Sequence, residues 1–477
     1  MSQKVTRGNG ITGRGGLAHW YTFPVKSVLF LLASAATLSA QILPSRIDEI
    51  AAKALADSGA PSVSLAVVQN GKIAYEKAYG KARLDPPADA RSEMRYSIGS
   101  VSKQFLAGAV LLLVQDGKLS LDDRVSKYLP NLTRANEITI RQLLSHTSGY
   151  QDYYPQDYVA PFMEKPVTAE SILDQWARKP LDFDPGTRWQ YSNTNFVVAG
   201  RIIEKVTGGP FFTFLSRRIL QPLGMTTAID LGAQTLGPSD AAGYTRFALG
   251  PPRPAKPEGK GWLYAAGELA MTAHDLALWD ISLMEHKLLK PASLETMTTP
   301  VRLRNGTTTS YALGVGVADA EGHPKLQHGG AVAGFVSLNT VWLDQGAAVV
   351  VFANQDGSSA TGAVANQIGP LLLTPAADPQ AGPTLQQARQ IYDGLLQGRI
   401  DRGLLSPNAD SFFTVQVLED ASTSLKALGP LESLRQTSVE QRGGMTYRHF
   451  RLQFKDKSLH LDTLMLPDGK LEQYLIQ

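Results

Sequence analysis

Cysteine is absent from the 477 residues. That excludes a thiol nucleophile, thiolate metal sites, disulfides and a cysteine-linked lipid. It does not fix a compartment, because exported proteins do not need disulfides. Histidine is scarce, with eight in the chain. None stands in a His-x-His or His-x-x-x-His spacing, so the ligand pattern of a metallohydrolase is missing and neither a metal nor another cofactor is expected. A basic stripe is missing as well: the net charge is only +3 and the pI about 8.8, so nucleic acid is not an expected partner. Beyond the first forty residues no apolar run reaches membrane length, and no internal repeat occurs. What is left is ordinary globular composition, 43% hydrophobic and 19% charged, in a chain long enough for one large domain or two to three smaller ones.

The first segment differs from the rest. Residues 1–26 carry Lys4, Arg7, Arg14 and Lys26 and no acid, and "SVLFLLASAATLSA" (27–40) is apolar and ends in small residues. This is the shape of a secretory signal peptide over 1–40 with cleavage after Ala40, which predicts a secreted or periplasmic protein without a membrane span after cleavage. An uncleaved N-terminal anchor is the competing reading.

"RIDEIAAKALADSG" (46–59) has helical spacing, and Asn70-Gly71 between two strand-like runs predicts a hairpin. "SKQFLAGAVLLLVQDGKLS" (102–120) is apolar on nearly every side, as in a helix central to a large core. Residues 120–310 read as mostly helical, and strand patterns return at 311–319, 334–344 and 347–354. Early and late strands around a helical middle predict an α+β fold: one antiparallel sheet closed by both ends of the chain, flanked by helices, with an inserted helical subdomain. The predicted domain thus spans 41–373. "TPAADPQAGPT" (374–384) reads as a linker. Residues 385–477 read as a small separate C-terminal α+β domain, in which Phe450, Leu452 and Phe454 alternate with Arg451, Gln453 and Lys455.

Three short stretches carry chemistry. "YSIGSVSKQF" (96–105) places Ser100 and Lys103 three apart, one turn of helix. An alcohol becomes a nucleophile when a base takes its proton, and a lysine can be that base if burial disfavours its ammonium form. Serine is equally a favoured helix N-cap. "WQYSNTNF" (189–196) offers Tyr191 as a proton relay and Asn193 as a holder of substrate or lysine. The alternative is a buried tyrosine beside a local Asn turn. "LQHGGAVAGF" (326–335) places His328 before Gly329 and Gly330, where a ligand could approach the backbone and a backbone N–H could meet an oxyanion; a tight turn before a strand is the other reading.

Taken together, S-x-x-K, Y-x-N and a His-Gly-Gly strand, in that order, resemble the penicillin-recognising serine hydrolases: class C β-lactamases, D-alanyl-D-alanine carboxypeptidases and the esterases of the same fold. "GKLSLDDRVSKYLP" (117–130), "ITIRQLLSHTSGY" (138–150) and "AAGELAMTAHDLALW" (265–279) are similar to that family too. The resemblance covers roughly 45–370. It implies that Ser100 is acylated, that Lys103 and Tyr191 move protons, and that Asn193 holds substrate or lysine. It further implies an oxyanion hole of the Ser100 and Ala331 N–H groups. His328 stands where the lactamases carry lysine. A histidine there is a weaker, pH-dependent cation, and this departure favours esters, amides or D-amino-acid peptides over β-lactams. The Tyr-rich "GYQDYYPQDY" (149–158) reads either as an aromatic substrate rim or as an exposed connecting loop. A small-molecule or peptide substrate is expected. The competing functional reading is a non-catalytic relative that binds or senses without turnover.

Overall fold

The computed structural model of the protein describes residues 29–320, 322–373 and 380–477, with side chains from Pro44 onward. The expected leader therefore lies outside the described residues up to 28; from Leu29 the backbone is helical and runs on into the helix predicted at 46–59, making one helix, α1 (Leu29–Ser58). Among the described residues no helix is long and apolar enough to cross a membrane.

The Asn70-Gly71 hairpin forms as predicted. It joins β1 (Ser62–Gln69) to β2 (Lys72–Leu84), and both turn residues take positive φ, +53° and +69°. The turn is thereby matched to the right-handed twist of its strands. After β3 (Pro87–Asp89) the chain leaves the sheet and returns as β4 (Gly316–Ala320), β5 (His323–Val332), β6 (Phe335–Trp342) and β7 (Ala347–Ala353). The sheet order is β3-β2-β1-β7-β6-β5-β4. β1 pairs antiparallel with β7, Val63 opposite Ala353 and Val67 opposite Val349. The two ends of the domain thus close one antiparallel sheet, as expected.

Both central strands are buried on both faces, which is why β1 and β7 read as continuous apolar runs rather than alternations. Val63, Leu65, Val349 and Val351 share one core with α1 and with α5 (Ala360–Leu372), whereas Ala66, Val68, Val350 and Phe352 join the larger core on the opposite face. That larger core holds α2 (Ser102–Gln115), α3 (Asn193–Thr207) and α4 (Ala273–Met284). Twelve residues of α2 are buried, Lys103 among them.

Two expectations need correction. The middle of the chain is less helical than its pattern implied: its helices are mostly short, such as Ile140–Leu144 and Phe211–Leu215, and long irregular segments join them. Burial within a large core supplies apolar residues to loops as well as to helices, so periodicity there overstates helix. The strand expected at 311–319 begins only at Gly316, because Tyr311 to Val315 are buried and their backbone bonds to Met297, Val301 and Leu144 instead of continuing the ladder.

The expected linker, 374–384, lies outside the described residues up to 379, and α6 (Ala381–Leu396) already begins at Ala381. With α7 (Val415–Ala427), α6 packs on a four-stranded meander: β8 (Ser433–Arg442), β9 (Met445–Gln453), β10 (Ser458–Met465) and β11 (Leu471–Ile476). Phe450, Leu452 and Phe454 all point into its own core with Ile391, Tyr392 and Leu461.

One surface cluster ties α1 to the sheet. Asp48 Oδ1 accepts from Tyr75 Oη (2.6 Å), Tyr79 Oη (2.7 Å) and Lys77 Nζ (2.9 Å). These donors hold its carboxyl down at about 2, below the ordinary 3.8. A depressed carboxyl stabilises the fold above its unfolded value and loses that contribution as pH falls through its folded value. Asp48→Ala should lower Tm by about 2–4 °C at neutral pH, the scale of one net charge-assisted bond in a chain of this size. The Tm gap between the two proteins should close as pH drops from 3.8 to about 2. A gap that persists at the acid end would assign the effect to something other than this carboxylate.

Candidate active site

Ser100 sits on a single 3-10 turn (Gly99–Val101) that leads into α2, and Lys103 lies on the first turn of that helix. Ser100 does not cap the helix: the N-cap is Val101, with no side-chain cap bond. Its hydroxyl instead faces two other groups. Lys103 Nζ is 2.8 Å away, and Tyr191 Oη donates to Ser100 Oγ at 2.9 Å. Tyr191 precedes α3 by two residues, and Asn193 is the first residue of that helix. The structure therefore brings Ser100, Lys103, Tyr191 and Asn193 together from two segments about ninety residues apart.

Lys103 has no solvent exposure. Its amine also donates to Asn193 Oδ1 (2.8 Å) and to the backbone carbonyl of Ala266 (2.7 Å). Burial pulls its pKa down to about 7, and the Asp152 carboxylate works in the opposite direction. The geometry suits the neutral amine. Two N–H groups serve the acceptor-only oxygens of Asn193 and Ala266, and the lone pair is left for the Ser100 hydroxyl. Tyr191 is nearly buried and its phenol is pushed well above the ordinary value, chiefly by burial, so it is held as a neutral O–H donor. Of the two neighbours of Ser100, the lysine is the available base near neutral pH.

Asn193 is fixed from behind by a group that spacing did not reveal. Asp152 accepts from the Asn193 backbone N–H (2.9 Å), from Asn193 Nδ2 on both oxygens (3.2 Å each) and from the Tyr154 N–H (3.1 Å). Burial raises the Asp152 carboxyl, and these donors and Lys103 oppose the rise. The clamp also settles the orientation of Asn193, whose oxygen faces the lysine. Asp152 belongs to the Tyr-rich stretch 149–158. Neither reading of that stretch fits all of it: Tyr150 and Tyr153 are core residues, the latter donating to the Trp262 carbonyl, and Tyr158 is exposed. The only signal for Asp152 was an acid set among aromatics. His146 was also missed. It is fully buried, lies 4.2 Å from Tyr191 between ring centroids, and accepts from the Ser192 N–H at 3.1 Å. Burial keeps it neutral, so it acts as a wall that positions the phenol.

His328, Gly329 and Gly330 lie within β5 and not in a turn before a strand. Inward positions alternate with outward ones, so His328 and Gly330 are buried while Gly329 and Ala331 are exposed. A Cβ on Gly330 would lie 2.0 Å from the Ile98 carbonyl oxygen and 2.4 Å from Ser337 Oγ, so only glycine lets β5 run against the turn that carries Ser100. Gly99 makes the matching approach from the other side. Its φ is +49°, and a Cβ there would meet the Ala331 backbone N at 3.0 Å. The backbone at Ser100 and at Ala331 is thereby held close together.

The expectation for His328 as a cation is overturned. Its Nδ1 donates to the Gly329 carbonyl (2.6 Å), and its Nε2 accepts from Tyr311 Oη (2.7 Å). Burial, with help from nearby Lys103, holds its pKa down at about 4. The ring is a neutral, committed hydrogen-bonding group at physiological pH.

These features define the class: an α+β fold of the penicillin-recognising type, with an S-x-x-K turn, a Y-x-N loop and strand β5 converging on one hydroxyl. The family model described as Beta-lactamase matches residues 47–371. The chain belongs to that family, whose members are generally serine hydrolases. It is 29% identical over 306 residues to a Bacillus subtilis (strain 168) protein provisionally named penicillin-binding protein PbpX, covering 64% of this chain and 74% of that one. Among solved structures it is similar to the D-amino acid amidase of Ochrobactrum anthropi SV3 complexed with D-phenylalanine, with 25% identity and a TM-score of 0.62 over 69% of this chain and 97% of that one. The octameric penicillin-binding protein homologue of Pyrococcus abyssi, 21% identical with a TM-score of 0.60, shares the fold over 91% of this chain and 95% of its own.

The glycine contacts yield a direct test. Gly330→Ala should push β5 off the Ser100 turn and cut ester acylation by about 10²-fold or more, the scale of losing one oxyanion donor. Rates and circular dichroism measured on the same preparation decide it. A folded G330A protein with undiminished rate would mean that the close approach of β5 is not needed.

Proposed function

We propose that the protein is a serine hydrolase that works through an acyl-enzyme on Ser100, on esters, amides or D-amino-acid peptides, with weak or no β-lactam turnover. The observation that carries this reading is the Ser100 hydroxyl between a buried lysine at 2.8 Å and a phenol at 2.9 Å. Ser100 Oγ attacks the scissile carbonyl carbon and its proton passes to Lys103 Nζ. The carbonyl oxygen becomes an oxyanion facing the Ser100 and Ala331 N–H groups. As the intermediate collapses, Tyr191 passes a proton to the departing nitrogen or oxygen and is reprotonated from Lys103. Water then cleaves the ester on Ser100 along the same proton path in reverse. Asn193 holds the lysine, and Asp152 holds Asn193. The neutral His328 supports the weak β-lactam expectation, because a drug carboxylate finds no cation there. None of these groups comes from 385–477, and the bond-breaking chemistry is assigned to 41–373. The D-amino acid amidase likeness supports amides as a substrate class.

We also propose export, with residues 1–40 as the signal. The basic start and the apolar 27–40 stretch support it. N-terminal sequencing of exported material should read from Gln41, and intact Met1 in a soluble cytoplasmic fraction would remove the claim.

The acyl-enzyme is tested by a fluorophosphonate probe and a nitrophenyl ester. The probe should label Ser100, and S100A should give neither label nor turnover; an unlabelled, folded wild type would favour a binding or sensing protein. The acylation rate should rise with pH through about 7 and then level, because the base form of Lys103 appears above its lowered pKa. K103A and Y191F should each lose at least about 10²-fold, and the double variant less than the product, since the two share one proton path.

A further inference from the structure

A cleft of about 320 Å³ opens beside the end of β5, lined by Val332, Ala333, Phe335, Tyr264, Arg83 and Glu258 among others. One wall group in it is unusual. Glu258 is only partly exposed, and among the described residues it forms no ion pair. The cations around it are engaged elsewhere. Lys256 pairs with Glu164, Lys260 reaches the Ala233 carbonyl, and Arg83 donates to the carbonyls of Gly237, Pro238 and Asp240. Carboxylates withdrawn from water are ordinarily matched by a cation. Glu268, the other carboxyl on this cleft, is buried, and burial together with the nearby Asp230 pushes it well above its ordinary value.

Glu258 is also held in place. Its Oε1 accepts from Tyr154 Oη (2.9 Å) and from the Ala333 N–H (3.0 Å). Each contact leads straight back to the reacting groups. Tyr154 shares the Asp152 and Asn193 network, its own carbonyl accepting from Asn193 Nδ2 at 3.4 Å. Ala333 lies two residues past Ala331, a chain length of about 7 Å at most. Burial, with Asp356 nearby, pushes the Glu258 carboxyl above its ordinary value, and a cation brought against it would favour its charged form. A carboxyl held within about 10 Å of Ala331, on a cleft wall and without a counter-ion, is a recognition group.

We propose that Glu258 is a specificity-determining residue that takes a primary ammonium group carried by the substrate within one residue of the scissile carbonyl. The preferred substrates are then aminoacyl or short peptidyl amides and esters with a free amine, not their acylated or deaminated counterparts. The inference gives a substrate class to the acyl-enzyme function proposed above and rests on that reading for its catalytic meaning.

The test is made by binding, so that it does not depend on turnover. Calorimetry on full-length S100A compares two matched pairs: D-phenylalanine amide with 3-phenylpropanamide, and glycyl-D-phenylalanine amide with acetyl-D-phenylalanine amide. Within each pair the ligands differ only in the ammonium group. In at least one pair the amine should bind about tenfold or more tightly, the scale of one charge-assisted hydrogen bond. E258Q keeps an acceptor for Tyr154 and Ala333 and should abolish that preference. If E258Q does not fold, E258D replaces it: the charge is withdrawn by one methylene, and the preference should fall at least about threefold. Equal binding within both pairs, binding of neither member, or a preference that survives in the folded variant would each overturn the proposal. A preference lost with Glu258 in a protein whose Ser100 is never labelled would uphold this site and remove the acyl-enzyme reading instead.

Discussion

A primary amine in water keeps its proton far above neutral pH and is then useless as a base. Lys103 escapes this because it is sealed from solvent and met by three oxygens, on Ser100, Asn193 and Ala266. Burial alone would make any lysine neutral at a cost. Here the oxygens limit the cost, since each N–H has an acceptor, and they also aim the lone pair. Asp152 then tempers the shift: a nearby negative charge keeps the lysine from losing its proton too readily. The opposed effects of burial and of Asp152 leave a group that can both take and return a proton near pH 7. Much of the rest of the domain serves that balance. The apolar body of α2 excludes water from below, His146 walls the phenol beside it, and the Asp152–Asn193 clamp fixes the acceptor.

The sheet supplies the second constraint. A nucleophile needs an oxyanion site within bond-forming distance, and the two sides of the proposed one come from distant parts of the chain. Ser100 follows the N-terminal hairpin, whereas Ala331 lies on a strand formed more than two hundred residues later. They meet because β7 pairs with β1 and brings β6 and β5 alongside. Final contact is a matter of atoms: the Ile98 carbonyl against Gly330, and Gly99 against the Ala331 nitrogen. A side chain at either glycine would keep the two walls of the site apart.

What could be read from the sequence divides along the same line. The Ser100–Lys103 pair, the Asn70-Gly71 hairpin and the buried α2 depend on residues close in the chain, and spacing reveals them. The alternation of Phe450, Leu452 and Phe454 is equally local. Asp152 and the Ala266 carbonyl act across the fold on side chains that spacing cannot pair with them; a backbone oxygen leaves no trace in residue type at all. His328 shows the limit most plainly. Its ordinary chemistry suggested a titrating cation, and only the enclosing Tyr311 hydroxyl and Gly329 carbonyl reveal a ring committed to both neighbours and neutral down to about pH 4.

That neutrality has a consequence for the polarity of the cleft. β5 carries His328, and Ala333 just past its end donates to Glu258, so under the proposal a substrate lying along the strand would meet an uncharged ring at one end and a carboxyl group at the other. Lys103 cannot stand in for a missing cation, because its orientation is spent on Ser100 and two acceptors. An anionic ligand therefore loses its solvation without gaining a partner, which costs free energy. A ligand with an ammonium group gains a partner at Glu258, a carboxyl that burial pushes above its ordinary value and that an adjacent cation would draw back to its charged form. A lysine at 328 would reverse the sign at the near end, but it would also place a second amine beside Lys103 and push both toward their neutral forms. The histidine thus does two things at once: it removes a cation that would favour acids, and it leaves the field at Lys103 to be set by Asp152.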